Sequence, residues 1–150
     1  MSDSYHKVLF VCIHNSARSQ MAEAFLNKYG EGKYMAESAG LEPGKLNQNV
    51  VKVMQEVGID LSNKGTQSVF DLFRKGAMYN AVVTVCDEAS AEQCPIFPGK
   101  VKRIAWSFED PSTFKGTEEE VLQHTREVRD VIKLTIEGFI EESSIARYWI

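Results

Sequence analysis

Cys12 closes an apolar run, and an arginine follows six positions later in "CIHNSAR". A cysteine acts as a nucleophile through its thiolate. A guanidinium is a permanent planar cation that can grip two oxygens of an oxyanion at once. Between Cys12 and Arg18 stand Ile13, His14, Asn15, Ser16 and Ala17, all small or turn-tolerant except Ile13. A loop of this length can curl so that successive backbone N–H groups point inward, and a helix starting at its end adds partial positive charge. Residues 12–18 therefore read as a cradle for a tetrahedral oxyanion, with Arg18 closing it and Cys12 at its base. The same dipoles favour a thiolate, and Ser19 can donate a hydroxyl hydrogen bond to the sulfur. Asn15 suits a left-handed backbone position inside the loop. The bland alternative is a buried, idle cysteine beside an unrelated surface arginine. The placement between strand and helix, followed by Ser19, favours the site.

A carboxylate with a second role lies far along the chain. Asp110 precedes Pro111 in "FEDPSTF", and proline biases the residue before it toward extended backbone. Asp110 would then sit on a stiff loop, placed to protonate a leaving oxygen as a general acid. The competing reading of Asp-Pro is an ordinary turn, and Glu109 is its adjacent rival. The other two cysteines are Cys86 and Cys94. Three is an odd number, and the spacing matches neither a disulfide framework nor a zinc site. In a reducing compartment such thiols are either inert core residues or reactive groups. His6 and His124 give no metal-ligand spacing and read as exposed; no metal is expected.

These residues need elements to hold them. "KVLFVC" (7–12) is long enough for a buried strand. Met21, Ala22, Phe25, Leu26 and Tyr29 then recur at helical spacing, and Gly30 stops that helix. "YMAESAG" (34–40) reads as a strand. Asn47 can cap a helix whose Val50, Met54 and Val57 face the core, with Gly58 ending it. Residues 67–75 read as a shorter helix, and 80–86 and 101–106 as strands. Thr117 and Glu120 form a capping box ahead of the longest helix, with Val121, Thr125, Val128, Ile132, Thr135 and Phe139 on one face. The tail 147–150 is apolar for a terminus, and its docking is left open.

Strands alternate with helices, and at least three strands are apolar throughout. That predicts an α/β fold, a doubly wound four-stranded parallel sheet of order 2-1-3-4 flanked by helices. In such a sheet the ligand crevice lies beyond the carboxyl ends of the strands. Cys12, Cys86 and Asp110 all fall there.

The 150 residues, 43% of them hydrophobic, suit a single domain over 1–150. The net charge is −4 and no basic stripe is visible, which argues against a nucleic-acid surface. No apolar run approaches the roughly 20 residues that span a bilayer. The polar start "MSDSYHK" is unlike a secretory signal. The expected setting is the cytoplasm, without a membrane partner and as a monomer.

"CIHNSARSQMAEAF" (12–25) resembles the phosphate-binding loop of the low-molecular-weight protein tyrosine phosphatase fold. Within it, "RSQMAE" looks like the thioredoxin-coupled arsenate reductase branch. The likeness continues through "SAG" (38–40), "VTVC" (83–86), "CPIFPG" (94–99) and "FEDP" (108–111), and stops before residue 145. It implies arsenate reduction with no bound cofactor, reducing equivalents coming from thioredoxin or a similar dithiol. Cys12 would attack arsenate within the loop formed by Ile13, His14, Asn15, Ser16, Ala17, Arg18 and Ser19, and Asp110 would protonate the leaving oxygen. Cys86 would then attack Cys12, and Cys94 would attack Cys86. Adjacent strands lie about 4.8 Å apart, within the about 4.4–6.8 Å range of disulfide Cα separations, so Cys86 could reach Cys12. Cys94 differs: "DEASAEQ" (87–93) reads as a short helix, and eight helical residues rise about 12 Å. Pairing Cys86 with Cys94 would require residues 87–94 to unwind.

The resemblance leaves a phosphotyrosine phosphatase as the alternative, along with a catalytically silent oxyanion-binding or redox-sensing module. Phosphatases of this fold commonly carry a second cysteine where Ala17 stands, and often tyrosines where Ser112 and Thr113 stand. His14 replaces a frequent glycine and is expected at the pocket rim. Asn15, Glu23 and Ser38 match a potassium site of relatives, but Gln67 replaces its aspartate, and cation binding is left open.

Overall fold

The computed structural model describes residues 5–150, apart from the side chains of residues 88 and 89. The first four residues of the polar N-terminal stretch lie outside it. Four strands form one parallel sheet of order β2-β1-β3-β4: β1 is His6–Cys12, β2 Tyr34–Gly40, β3 Ala81–Thr84 and β4 Lys102–Ala105. The predicted order and parallel sense are both observed.

β1 runs through the centre, and its alternation divides the core in two. Val8, Phe10 and Cys12 point into one cluster, with Ala81, Val83 and Val85. Leu9 and Val11 point into the other, with Val82. A strand buried on both faces shows no polar alternation, hence the unbroken run VLFVC. Three helices cover the first face: α1 (Arg18–Tyr29), α2 (Gln48–Gln55) and α5 (Glu118–Ser143). α3 (Val69–Arg74) and the segment carrying Cys94 and Phe97 cover the second. α4 (Glu88–Ala91) follows β3.

The caps form as the side chains dictate. The Asn47 side chain accepts from the N–H groups of Asn49 and Val50. Thr117 and Glu120 make both bonds of the capping box. Several expectations need correction. Ile136 rather than Thr135 is the core position of α5, because the buried stripe runs 132, 136, 139, the 3–4 spacing of the helical period. Tyr29 stacks on Phe25 but remains exposed. α2 stops at Gln55, with Gly58 in the turn beyond, and Val53 is its third buried side chain. β3 ends at Thr84, and α4 is one turn rather than the seven residues expected.

The two histidines expected to be exposed are both half-buried against aromatic rings. His124 stacks on Phe114 with ring centroids 3.7 Å apart. His6 lies 4.0 Å from Trp149, and burial lowers its pKa from the ordinary value. The tail docks: Ala146–Trp149 is a 3-10 turn whose Trp149 indole N–H donates to the Ser143 carbonyl. No helix among the described residues is long and apolar enough to cross a membrane.

Candidate active site

The loop after β1 is held from outside through its carbonyl groups. Leu41 N–H donates to the Cys12 carbonyl, Glu42 N–H to Ile13, Gly44 N–H to His14 and Asn47 N–H to Ser16. The amide of Gln20 donates to the Asn15 carbonyl. With carbonyls 12–16 all engaged outward, the N–H groups form the inner edge. One of them, that of Asn15, donates to Cys12 Sγ at 3.1 Å. No side chain caps α1, so its first N–H groups add to the same concavity. Gly40 is what admits this packing. A Cβ there would stand 2.8 Å from Asn15 N and from the Ile13 carbonyl oxygen.

Asn15 takes the left-handed backbone expected of it, with φ of 55°, and is fully buried. Its side-chain oxygen accepts from Gln67 N–H, and its amide donates to Ser19 Oγ at 2.8 Å. Ser19 Oγ lies 2.9 Å from Cys12 Sγ. Ser19 Oγ accepts from Asn15 and keeps a hydrogen of its own, so it can donate to a Cys12 thiolate. The Asn15 N–H and the Ser19 hydroxyl thus both meet Cys12 Sγ.

Arg18 begins α1 and is buried, with its guanidinium reaching the Phe108 carbonyl at 3.3 Å and Asp110 at 3.5 Å. Asp110 is extended (φ −88°, ψ 111°) and accepts from Ser112 N–H, which stiffens the 3-10 turn Pro111–Thr113. Glu109 instead pairs with His124, away from Arg18. Cys12, Arg18 and Asp110, some 98 residues apart in the chain, thus form one cluster at the carboxyl end of the sheet.

The three thiols are free and buried. Cys86 shares the first core cluster with Cys12. Its pKa is pushed up to about 11, chiefly by burial, then by the neighbouring Cys12, against the opposing pull of Arg18. Cys94 belongs to the second cluster, on the opposite face of the sheet, and burial raises its pKa as well. α4 lies between the two in sequence.

Residues 7–147 match the family described as low molecular weight phosphotyrosine protein phosphatase. The chain belongs to that family. Within the family, it is 43% identical over 136 residues to an arsenate reductase of Bacillus subtilis, covering 89% of this chain and 94% of the relative. A solved arsenate reductase in its oxidised state superposes with a TM-score of 0.75 at 31% identity, covering 91% of this chain and 97% of that one. A low molecular weight protein tyrosine phosphatase from T. tengcongensis superposes at 0.72 with 25% identity, covering 91% and 99%.

Against this phosphatase family, two positions stand out. Ala17 leaves the loop without a second thiol. Ser112 accepts from the Asn47 amide in place of an aromatic wall. His14 is exposed at the rim, its Nδ1 2.9 Å from the Glu42 carbonyl oxygen. Glu23 and Ser38 bond each other at 2.6 Å, and Glu23 is also paired with Lys64 at 2.5 Å. Gln20, Gly40 and the strap 41–47 were not assigned to the site from sequence, and Gln67 was read only against a cation site, although each bonds or packs on the loop. An amide side chain or a glycine carries no chemistry-bearing signature of its own.

Proposed function

We propose that the protein is an arsenate reductase that works through three cysteines. The observation that carries this reading is a second thiol, Cys86, in the same buried cluster as Cys12, beside a loop that holds no other cysteine. The arsenate reductases it resembles support it.

Arsenate enters the N–H cradle of Ile13 to Ser19 and takes over the Arg18 guanidinium from Asp110. Cys12 thiolate attacks arsenic, and one oxygen departs with a proton from Asp110. Cys86 sulfur then attacks Cys12 sulfur. The S–As bond breaks, and its electron pair stays on arsenic, giving arsenite and a Cys12–Cys86 disulfide. Burial first, and the neighbouring Cys12 second, hold Cys86 as a thiol, and Arg18 opposes both. Cys94 next attacks Cys86, freeing Cys12. Thioredoxin, or a similar dithiol, reduces Cys86–Cys94 by thiol exchange. We read residues 1–150 as one domain acting as a monomer in the cytoplasm, without a bound cofactor. The buried position of all three thiols suits a reducing compartment.

A phosphatase reading retains one supporting observation: Cys12, Arg18 and Asp110 by themselves suffice for phosphoryl transfer. The deciding measurement is NADPH consumption with arsenate, thioredoxin and thioredoxin reductase, on wild type and Cys86→Ser, with an aryl phosphate assay alongside. Arsenate-dependent consumption that vanishes in the variant is the expected result. Fast aryl phosphate hydrolysis indifferent to the variant, with no NADPH consumed, would make the protein a phosphatase.

A further inference from the structure

The carbonyl groups of the loop after β1 are each held by a donor, and one of those donors differs from the rest. The carbonyls of Cys12, Ile13, His14 and Ser16 accept from backbone N–H groups of the strap, and that of Ala17 accepts from Met21 N–H within α1. The Asn15 carbonyl accepts from a side chain, the Gln20 amide, at 3.1 Å. The strap passes it by: Gly44 holds His14, Asn47 holds Ser16, and no backbone N–H between them is bonded to Asn15. The same Gln20 nitrogen donates to the Gly65 carbonyl at 3.0 Å, so both of its hydrogens are used.

Gln20 is 1% exposed, and its Oε1 is buried without a hydrogen-bond partner among the described residues. Turning the amide over would aim Oε1 at two carbonyl oxygens, so the partners fix its orientation. A buried orphan acceptor is rare and calls for a reason. An apolar side chain would fill the space without an orphan of its own, but it would leave the Asn15 carbonyl unheld.

What Gln20 fixes is a peptide plane. A trans peptide points its C=O and the following N–H in opposite directions, and the described residues contain no cis bond. An Asn15 carbonyl held outward therefore aims Ser16 N–H into the cradle. The preceding plane is held separately, by Gly44 on the His14 carbonyl, and its N–H is the one that meets Cys12 Sγ. One plane serves the nucleophile and the next is left for the substrate.

We propose that Gln20 is a positioning residue for the oxyanion: through the Asn15 carbonyl it holds Ser16 N–H where an oxygen of arsenate or phosphate binds, with Gly65 as its anchor. This rests on residues 12–18 being an oxyanion cradle and is common to the reductase and phosphatase chemistries above.

The test compares the full chain with Gln20→Met and Gln20→Glu. Three quantities are read: phosphate binding by calorimetry, arsenate turnover with thioredoxin, thioredoxin reductase and NADPH, and the pH profile of Cys12 alkylation by iodoacetamide, followed by peptide mass. Gln20→Met raises the phosphate Kd and the arsenate KM about tenfold, the loss of one hydrogen bond to a charged group. It leaves kcat near wild type and the midpoint of Cys12 alkylation in place. Gln20→Glu as a carboxylate has no hydrogen to donate. At pH 5 the protonated acid donates to one carbonyl, so its phosphate affinity relative to wild type at the same pH recovers past that of Gln20→Met. Unchanged phosphate Kd and arsenate KM in Gln20→Met would overturn the proposal, whatever happens to its melting temperature. A Cys12 midpoint that shifts together with the affinity would also overturn it, because the whole loop would then have collapsed. Should Gln20→Met fail to fold, the Gln20→Glu comparison decides, and no recovery at pH 5 would count against the role. A wild type that binds no phosphate would overturn the cradle itself and this role with it.

Discussion

Ser19 stands between two partners: its oxygen accepts from the Asn15 amide, and its hydrogen is free to go to the Cys12 thiolate as it attacks. Hydrogen bonds to charged groups are worth about 1.5–3 kcal/mol, so Ser19→Ala should slow attack by Cys12 roughly tenfold or more at neutral pH. Stopped-flow measurement of the first turnover checks this. Asn15→Ala should do at least as much, since it frees Ser19 to turn away and removes the acceptor for Gln67 N–H. Asp110 differs in kind, because it meets the substrate only as the oxygen leaves. Asp110→Asn should cut kcat by about 10²–10⁴ while leaving the affinity for phosphate as a competitive inhibitor near that of wild type. A large loss of phosphate affinity would mean that Asp110 acts through Arg18 and not as a proton donor.

Among the elements, the strap after β2 and the segment between the distant cysteines behave oppositely. The strap binds loop carbonyls through four backbone N–H groups, and Gly40 lies where any Cβ would meet backbone. Backbone cannot swing aside as a side chain does. Gly40→Ala should therefore cost about 1–3 kcal/mol of stability and most of the activity, with the far-ultraviolet spectrum retained. Residues 87–94 hold a single helical turn, with few backbone bonds to lose. Moving Cys94 from one sheet face to meet Cys86 on the other should unfold that turn. Amide exchange across 87–94 should be clearly faster in the oxidised protein than in the reduced one. Equal protection in both states would sink the switch.

At the scale of the whole molecule, the start of β1 and the tail pack on each other. His6 at the start of β1 packs on Trp149 of the tail, while Lys102 sits over the Tyr148 ring at 4.2 Å. Burial lowers the His6 pKa, so below an unfolded value of about 6.5 the unfolded chain holds more protons than the folded one. The stabilisation is complete above that value and is lost as pH falls through the lowered one. The melting temperature should drop more steeply from pH 7 to pH 5 in wild type than in His6→Gln.

The division of β1 residues between two cores follows from period-2 alternation, a local property, and the apolar runs of three strands were enough to predict a parallel sheet covered on both faces; its order 2-1-3-4 came from the doubly wound arrangement of alternating strands and helices. Cys12, Arg18 and Ser19 were legible because a thiol, a guanidinium and a hydroxyl at short spacing carry their chemistry in their side-chain types. Asp110 was legible because proline marks its backbone. What the sequence could not determine is whatever depends on contacts between distant segments. The strap's grip on the loop carbonyls uses backbone groups that every residue shares. The need for Gly40 is set by a loop 25 or more residues earlier. The stacking of His6 and His124 depends on rings 143 and 10 residues away. The position of Cys94 on the face opposite Cys12 and Cys86 was likewise decided by the tertiary structure, because a connection between strands can return to either face of a sheet and only packing selects which.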